Sequence, residues 1–379
     1  MKFVIAPDSF KGSLTAQEAA QAIATGLRRV FPNATYELVP MADGGEGTVQ
    51  SLVDATQGDF RHAVVLNPLG QPVTATYGLL GDHQTAVIEM AAASGIQFIN
   101  DQTKNPLITT TYGTGQLMLD AITHGAKELI IGIGGSATTD GGQGMAEALG
   151  VRFLNQQGQP IQRGGCGLAE LATIDMSQVD PLVKQVHVRI ASDVTNPLVG
   201  PQGSAAVFGP QKGATPEMVA TLDQNLQHYA TIIQETLGVD LADYPGAGAA
   251  GGLGAGLLAF TQSSMEKGIE IVVRETHLKE RAVQADYVFT GEGAIDFQTQ
   301  YGKTPMGTAQ AVKAVSPQAK VIGLAGNVGT GIDQLYGLGI DAVFGILPGV
   351  VPLTTAMATG AENLTRTAEN IARLLSVHD

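Results

Sequence analysis

Five short stretches gather charged residues with hydroxyls or glycines, and one of them, DGGEG, is a pattern that an ordinary turn does not need. APDSFK (6–11) holds Asp8, Ser9 and Lys11, and DGGEG (43–47) holds Asp43 and Glu46 among three glycines. GIGGSATTD (132–140) supplies Gly134, Gly135, Ser136, Thr138, Thr139 and Asp140, and SDVTNP (192–197) supplies Asp193 and Asn196. TGEGAIDFQTQYGKT (290–304) supplies Glu292, Asp296, Gln298 and Lys303. These residue types together suit phosphoryl transfer. Phosphate oxygens need backbone N–H groups and cations, and Mg²⁺ needs hard oxygen ligands, usually one or two carboxylates. A hydroxyl nucleophile needs a carboxylate to orient it and take its proton.

Gly302-Lys303-Thr304 has the last three letters of the P-loop pattern G-x-x-x-x-G-K-[ST], but the first glycine would have to stand at Phe297. A phosphate site here must therefore be built another way. Gly132–Ala137 matches the dinucleotide fingerprint, yet the acid expected about 20 residues later is missing from VRFLNQQG. GAGAAG (246–251) matches as well, with no apolar strand before it. An NAD-dependent hydroxyacid dehydrogenase is thus an alternative, as is a non-catalytic organic-acid sensor. The seven histidines are scattered with no H-x-H or H-E-x-x-H spacing, which disfavours a zinc hydrolase.

The elements that must position these residues alternate. KFVIA, YELVP, ADYVFT and KVIGLA read as strands, each followed by a polar loop and then a helical pattern. Asp8 follows the first strand, Asp43 the second, Glu292 the third and Asn327 the fourth. In open parallel sheets, ligands bind beyond the carboxyl ends of the strands. Ser13 or Thr15 can cap the first helix, with Glu18 completing a capping box. The second helix, VQSLVDATQG, is read as ending on its glycine, the third as covering about 305–314 and the last as covering about 354–375.

The middle is less regular. HAVVLNPLGQPVTATYGLLGDHQTAVIEMA reads as antiparallel strands, ELIIG and VHVRIA as further strands, and 215–237 as a long helix whose apolar stripe is core. The expected fold class is α/β. A Rossmann-like doubly wound parallel sheet, 1–61 plus 284–379, is split by an inserted mixed α/β domain, 62–283, with the active site in the cleft between them.

Composition narrows the class. The chain has 379 residues, 44% of them hydrophobic, and 49 glycines without a collagen-like period. One cysteine, Cys166, suits a reducing cytosol, and no apolar run is long enough for a signal peptide or a spanning helix. The formal charge of −14 argues against nucleic acid and anionic membranes as partners. It says little about an anionic substrate, because a unit pair 20 Å apart in water is worth only about 0.2 kcal/mol. A cytoplasmic protein of small-molecule substrates is expected.

Several of these residues also have plain structural readings. Asp8 and Lys11 fit a turn or helix start, and Asp193 and Asn196 fit an Asx-turn closed by proline. Asp140 fits a cap for a helix beginning near Gly141. Lys212, in GPQKGA, reads as a surface residue.

Taken in order, IAPDSFKGSL, PMADGGEGT, GIGGSATTDGG, SDVTNPL, FGPQKGA, GAGAAGGLG and TGEGAIDFQT with GKTP resemble the type I glycerate kinase family from end to end. The resemblance implies ATP and Mg²⁺, two α/β domains, and phosphorylation of D-glycerate. The 2-hydroxyl is the usual acceptor, and some members form the 3-phosphate. Within it, Lys303 and the Gly134, Gly135, Ser136 and Thr138 loop are expected to hold ATP phosphates, and Glu292 and Asp296 the metal. Lys11 would balance charge, Asp43 or Asp193 would orient the hydroxyl, and Asp8, Ser9, Glu46 and Asn196 would contact substrate. A homodimer is a candidate assembly.

Overall fold

The strand Lys2–Ile5 is buried along most of its length, which places it inside a sheet rather than at an edge. It lies between Thr35–Leu38 and Tyr287–Ile295, and the sheet continues through Lys320–Val328 to Ala342–Gly345. All four pairings are parallel. The computed structural model describes residues 1–377; His378 and Asp379 lie outside it. The chain divides into two compact units, 1–58 with 267–379, and 59–266. Helices Gly268–Glu275 and Leu278–Arg281, assigned from the sequence to the insertion, belong to the first unit.

In the first unit, helix Ala16–Arg28 starts at Thr15, whose hydroxyl accepts from the Glu18 amide at 3.2 Å while the Glu18 carboxylate accepts from the Thr15 amide at 2.9 Å. This is the capping box that the spacing predicts. The helix lies against Gly360–Leu375 so closely that a Cβ on Gly26 would stand 2.2 Å from the Thr365 carbonyl oxygen. Three sequence expectations need correction. Helix Thr48–Thr56 turns at Gln57, which takes the left-handed conformation itself (φ 57°) one residue before the glycine. The last helix is two, Leu353–Ala358 and Gly360–Leu375, broken at Thr359. Strands Tyr287–Ile295 and Lys320–Val328 run past the points where glycine suggests a turn, because each has the other as a partner along its full length. Glu292 and Asn327 are therefore strand residues.

The second unit holds a six-stranded sheet in the order Gln262–Glu266, His187–Ala191, Glu128–Gly132, Thr85–Glu89, Pro72–Leu79, Asp59–Leu66. The first four run parallel and the last two join antiparallel. The apolar face of helix Pro216–Leu237 buries Leu222, Leu226, Tyr229 and Ile233, and Tyr229 meets the rings of Phe153 and Phe260. No helix among the described residues is long and apolar enough to cross a membrane.

Alanine is the better helix former by about 1 kcal/mol, yet Gly26→Ala must push two helices apart. The expected result is a net loss of about 1–3 kcal/mol, read from denaturant unfolding; unchanged or raised stability would contradict this packing.

Candidate active site

In the first unit the chain continues the sheet's ladder beyond the strands. Ala6 N–H donates to the Phe289 carbonyl at 2.7 Å and Asp8 N–H to the Gly291 carbonyl at 2.8 Å. On the other side, Val39 N–H donates to Ile5 and Met41 N–H to Pro7, at 2.8 and 2.9 Å. These bonds fix the loops carrying Asp8 and Asp43 to the strand carrying Glu292. A Cβ on Gly268 would lie 1.9 Å from the Asp43 carbonyl oxygen, so the start of helix Gly268–Glu275 holds that loop from its other side.

The result is a concentration of charge. Asp8 is 6% exposed, accepts from the Thr304 hydroxyl and, at 2.6 Å, from the Ser9 amide. Burial pushes its carboxyl up to about 6, with the Thr304 bond opposing and the Asp43 charge adding to the rise. Burial also pushes Glu292 up to about 7; Lys303 and Lys11 pull it down, while Asp8 and Asp43 push it further. Asp8, Lys11, Asp43 and Lys303 thus lie within electrostatic reach of Glu292, and Asp43 and Lys11 also within reach of Asp8. Asp43 is half-buried and accepts from the Gly45 amide at 3.0 Å. Glu46 is exposed.

The GKT letters have a structural account. Gly302 takes φ 105°, Lys303 is the residue before helix Thr304–Val315, and Thr304 begins it. The threonine hydroxyl that a P-loop aims at a metal here donates to Asp8. Asp296 starts the preceding turn, its Oδ1 accepting from the Gln298 amide at 2.8 Å. Among the described residues no three His, Cys, Asp or Glu side chains are arranged to hold a metal ion. Beside Gly302 lies a groove of about 710 Å³, lined also by Lys267, Arg274, His277 and Gly307.

The remaining expected site residues belong to the second unit. Strands Glu128–Gly132 and His187–Ala191 are parallel neighbours, with Gly132 opposite Ala191. The loops with Gly134–Asp140 and Asp193–Asn196 therefore leave the same end of the sheet. Gly134, Gly135 and Asp193 are exposed. Asn196 braces its loop, its Nδ2 donating to the Gln202 carbonyl at 2.8 Å. The dinucleotide fingerprint fails structurally, because after Gly132 the next helix begins only at Gln143. No helix N-terminus follows the glycines as that motif requires.

Beneath this loop the side chains of Ser136, Thr138, Thr139 and Asp140 are buried. Asp140 accepts from the amides of Thr111, Gly142 and Gly144 at 2.8, 3.1 and 3.3 Å and from the Thr111 hydroxyl. It anchors the loop and the first turn of helix Gln143–Ala148. Lys212 is not a surface residue: it is 1% exposed and its Nζ donates to the Thr138 carbonyl at 2.6 Å. Sequence reasoning also missed Thr304 as the partner of Asp8; its place at a helix start beside a lysine was the available signal.

Glu292 supplies a stability test in nucleotide-free protein. Burial makes its folded-state carboxyl keep its proton up to about 7, against an ordinary value of 4.5, so its stabilising contribution is lost as pH rises through that window. Glu292→Gln is expected to raise the melting temperature at pH 8 and to leave it unchanged at pH 4. Equal shifts at both pH values would refute the assignment.

The profile of the glycerate kinase family matches residues 3–376. Glycerate kinase of Halalkalibacterium halodurans is 55% identical, covering 97% of each chain. Glycerate 2-kinase of Escherichia coli K12 is 49% identical, covering 100% of this chain and 98% of its own. A crystal structure from Salmonella typhimurium LT2, provisionally assigned as glycerate kinase 2, superposes with a TM-score of 0.91 at 48% identity, over 100% of this chain and 99% of that one. The chain carrying these two sets of loops belongs to the glycerate kinase family.

Proposed function

We propose that this protein transfers the γ-phosphoryl group of ATP to the 2-hydroxyl of D-glycerate, forming 2-phosphoglycerate and ADP. Family membership supports the reaction, and the relative described as glycerate 2-kinase supports the choice of hydroxyl. The observation that carries the chemistry is the cluster of Asp8, Asp43 and Glu292 with Lys11 and Lys303 in the first unit.

Each residue has a role that its surroundings permit. Lys303, at the start of helix Thr304–Val315, stabilises phosphate oxygens, and the helix dipole adds to that field. The exposed Gly134 and Gly135 amides, with Ser136 behind them, offer further phosphate donors. The groove beside Gly302 has room for the base and ribose. Lys11 neutralises charge on the transferred group or on the glycerate carboxylate.

The hard oxygen donors of this cluster suit Mg²⁺, which takes one or two carboxylates and completes its shell with phosphate oxygens and water. Glu292 and Asp296 would hold it. When bound, Mg²⁺ neutralises charge developing on the phosphates. Asp193 or Asp43 orients the attacking hydroxyl and accepts its proton; the new bond joins that oxygen to phosphorus as the bridging bond to ADP breaks. Asp8 is braced by Thr304 and Ser9, and with Asn196 and Glu46 completes the substrate contacts.

Incubation with ATP, Mg²⁺ and D-glycerate is expected to release ADP and give the 2-phosphate by phosphorus NMR. NAD with glycerate should give no change at 340 nm; NADH formation instead would make the protein a dehydrogenase. Asp193→Asn should lower kcat by about 10²-fold or more while the KM for ATP moves little. Unchanged kcat would leave Asp43 as the base.

A further inference from the structure

Lys212 is costly for the fold to retain. Its ammonium is buried, and burial pushes it down to about 7 against the pull of Asp140. That carboxylate is already engaged by three amides and the Thr111 hydroxyl. Taking an ammonium out of water is costly, and the hydrogen-bond partner of this one is a carbonyl, so folding alone does not call for a lysine here. The backbone nevertheless aims it inward: Lys212 ends the turn Pro210–Lys212, and Gly213 leaves at φ 95° with Lys104 packed against it.

The atom that Lys212 holds is specific. Its Nζ donates to the Thr138 carbonyl, in the middle of the glycine and hydroxyl loop. Gly251 presses on the same oxygen, where a Cβ would stand only 1.8 Å away. A peptide unit is planar and trans, so its C=O and the following N–H point in opposite directions. Holding the Thr138 carbonyl therefore also sets the direction of the Thr139 amide. Among the described residues, the buried hydroxyls of Thr138 and Thr139 have no protein partner, and no protein acceptor takes the amides of Gly134, Gly135, Thr138 or Thr139. Donors left unsatisfied by the protein, on a loop held by a buried cation, match the needs of a phosphate group.

We propose that Lys212 is a positioning residue for nucleotide binding: it pins the Thr138 carbonyl and so presets the Gly134–Thr139 loop for the phosphates of ATP. This rests on the reading above that the loop receives those phosphates. Lys212 touches neither substrate nor the reacting atoms and acts through the loop.

The full-length enzyme tests it with two substitutions. Lys212→Met keeps similar bulk and removes the donor and charge. It is expected to melt below the wild type, because Asp140 stays buried without that cation, and to raise the KM for ATP about tenfold, the effect of losing one charged hydrogen bond, with the KM for glycerate unchanged. Lys212→Gln restores a neutral donor and should recover part of that loss; if the Met variant does not fold, the Gln variant is read by the same criterion. A folded variant with wild-type KM for ATP, or with losses shared equally by ATP and glycerate, overturns the proposal. Gly135→Val separates the two readings by crowding the loop directly. If it raises the KM for ATP while Lys212→Met does not, only the role of Lys212 falls. If neither substitution affects ATP, the loop is not the phosphate site and both readings fall.

Discussion

Carboxylates of like charge separate when the backbone lets them, and in this protein it does not. The ladder bonds that continue beyond Lys2–Ile5 tie the Asp8 loop to the strand of Glu292 on one side and to the approach of Asp43 on the other. Asp8 and Glu292 are each raised in pKa by burial and by their neighbours' charge. The arrangement opposes folding in isolation and favours whatever positive charge arrives. Lys11 and Lys303 offset part of the repulsion, and a bound divalent cation would offset more. Functional sites commonly concentrate such unfavourable electrostatics.

The second unit meets the opposite problem. Around Thr138 and Asp140 the polar groups are buried, and the loop is kept in shape by bonds reaching it from Thr111 and Lys212. One unit holds buried and half-buried charge at the end of a parallel sheet, and the other holds a glycine-containing loop in shape by interior charge. Both devices serve preorganisation: the donors are in place before a ligand has to order them.

Local signals made part of this legible in the sequence. The Thr15 and Glu18 spacing, the apolar stripe of Pro216–Leu237 and the alternation of strand and helix each depend on neighbours a few residues away. The proximity of Asp8, Asp43 and Glu292 followed from one rule, that parallel strands present their carboxyl ends together. What failed depended on distant partners. TGEGAID has the glycines of a turn, yet it is held extended by Lys320–Val328. GPQKGA has the polarity of a surface, yet Lys212 is drawn inside by a carbonyl 74 residues away. The fingerprint at Gly132–Ala137 had the right letters but lacked the helix start that gives those letters their chemistry.

The position of Lys2–Ile5 between Thr35–Leu38 and Tyr287–Ile295 also bears on biosynthesis. Lys2–Ile5 is translated before its second neighbour, which follows only after the whole of residues 59–266. At 5–20 residues per second that interval is roughly 15–60 s, during which one strand edge and the face of helix Ala16–Arg28 that later meets the C-terminal helix lack their cover. The nascent chain thus carries an open, apolar N-terminal fragment while the later-synthesised segment 59–266 is free to collapse first. The time for which this fragment needs protection is set by the length of the intervening segment.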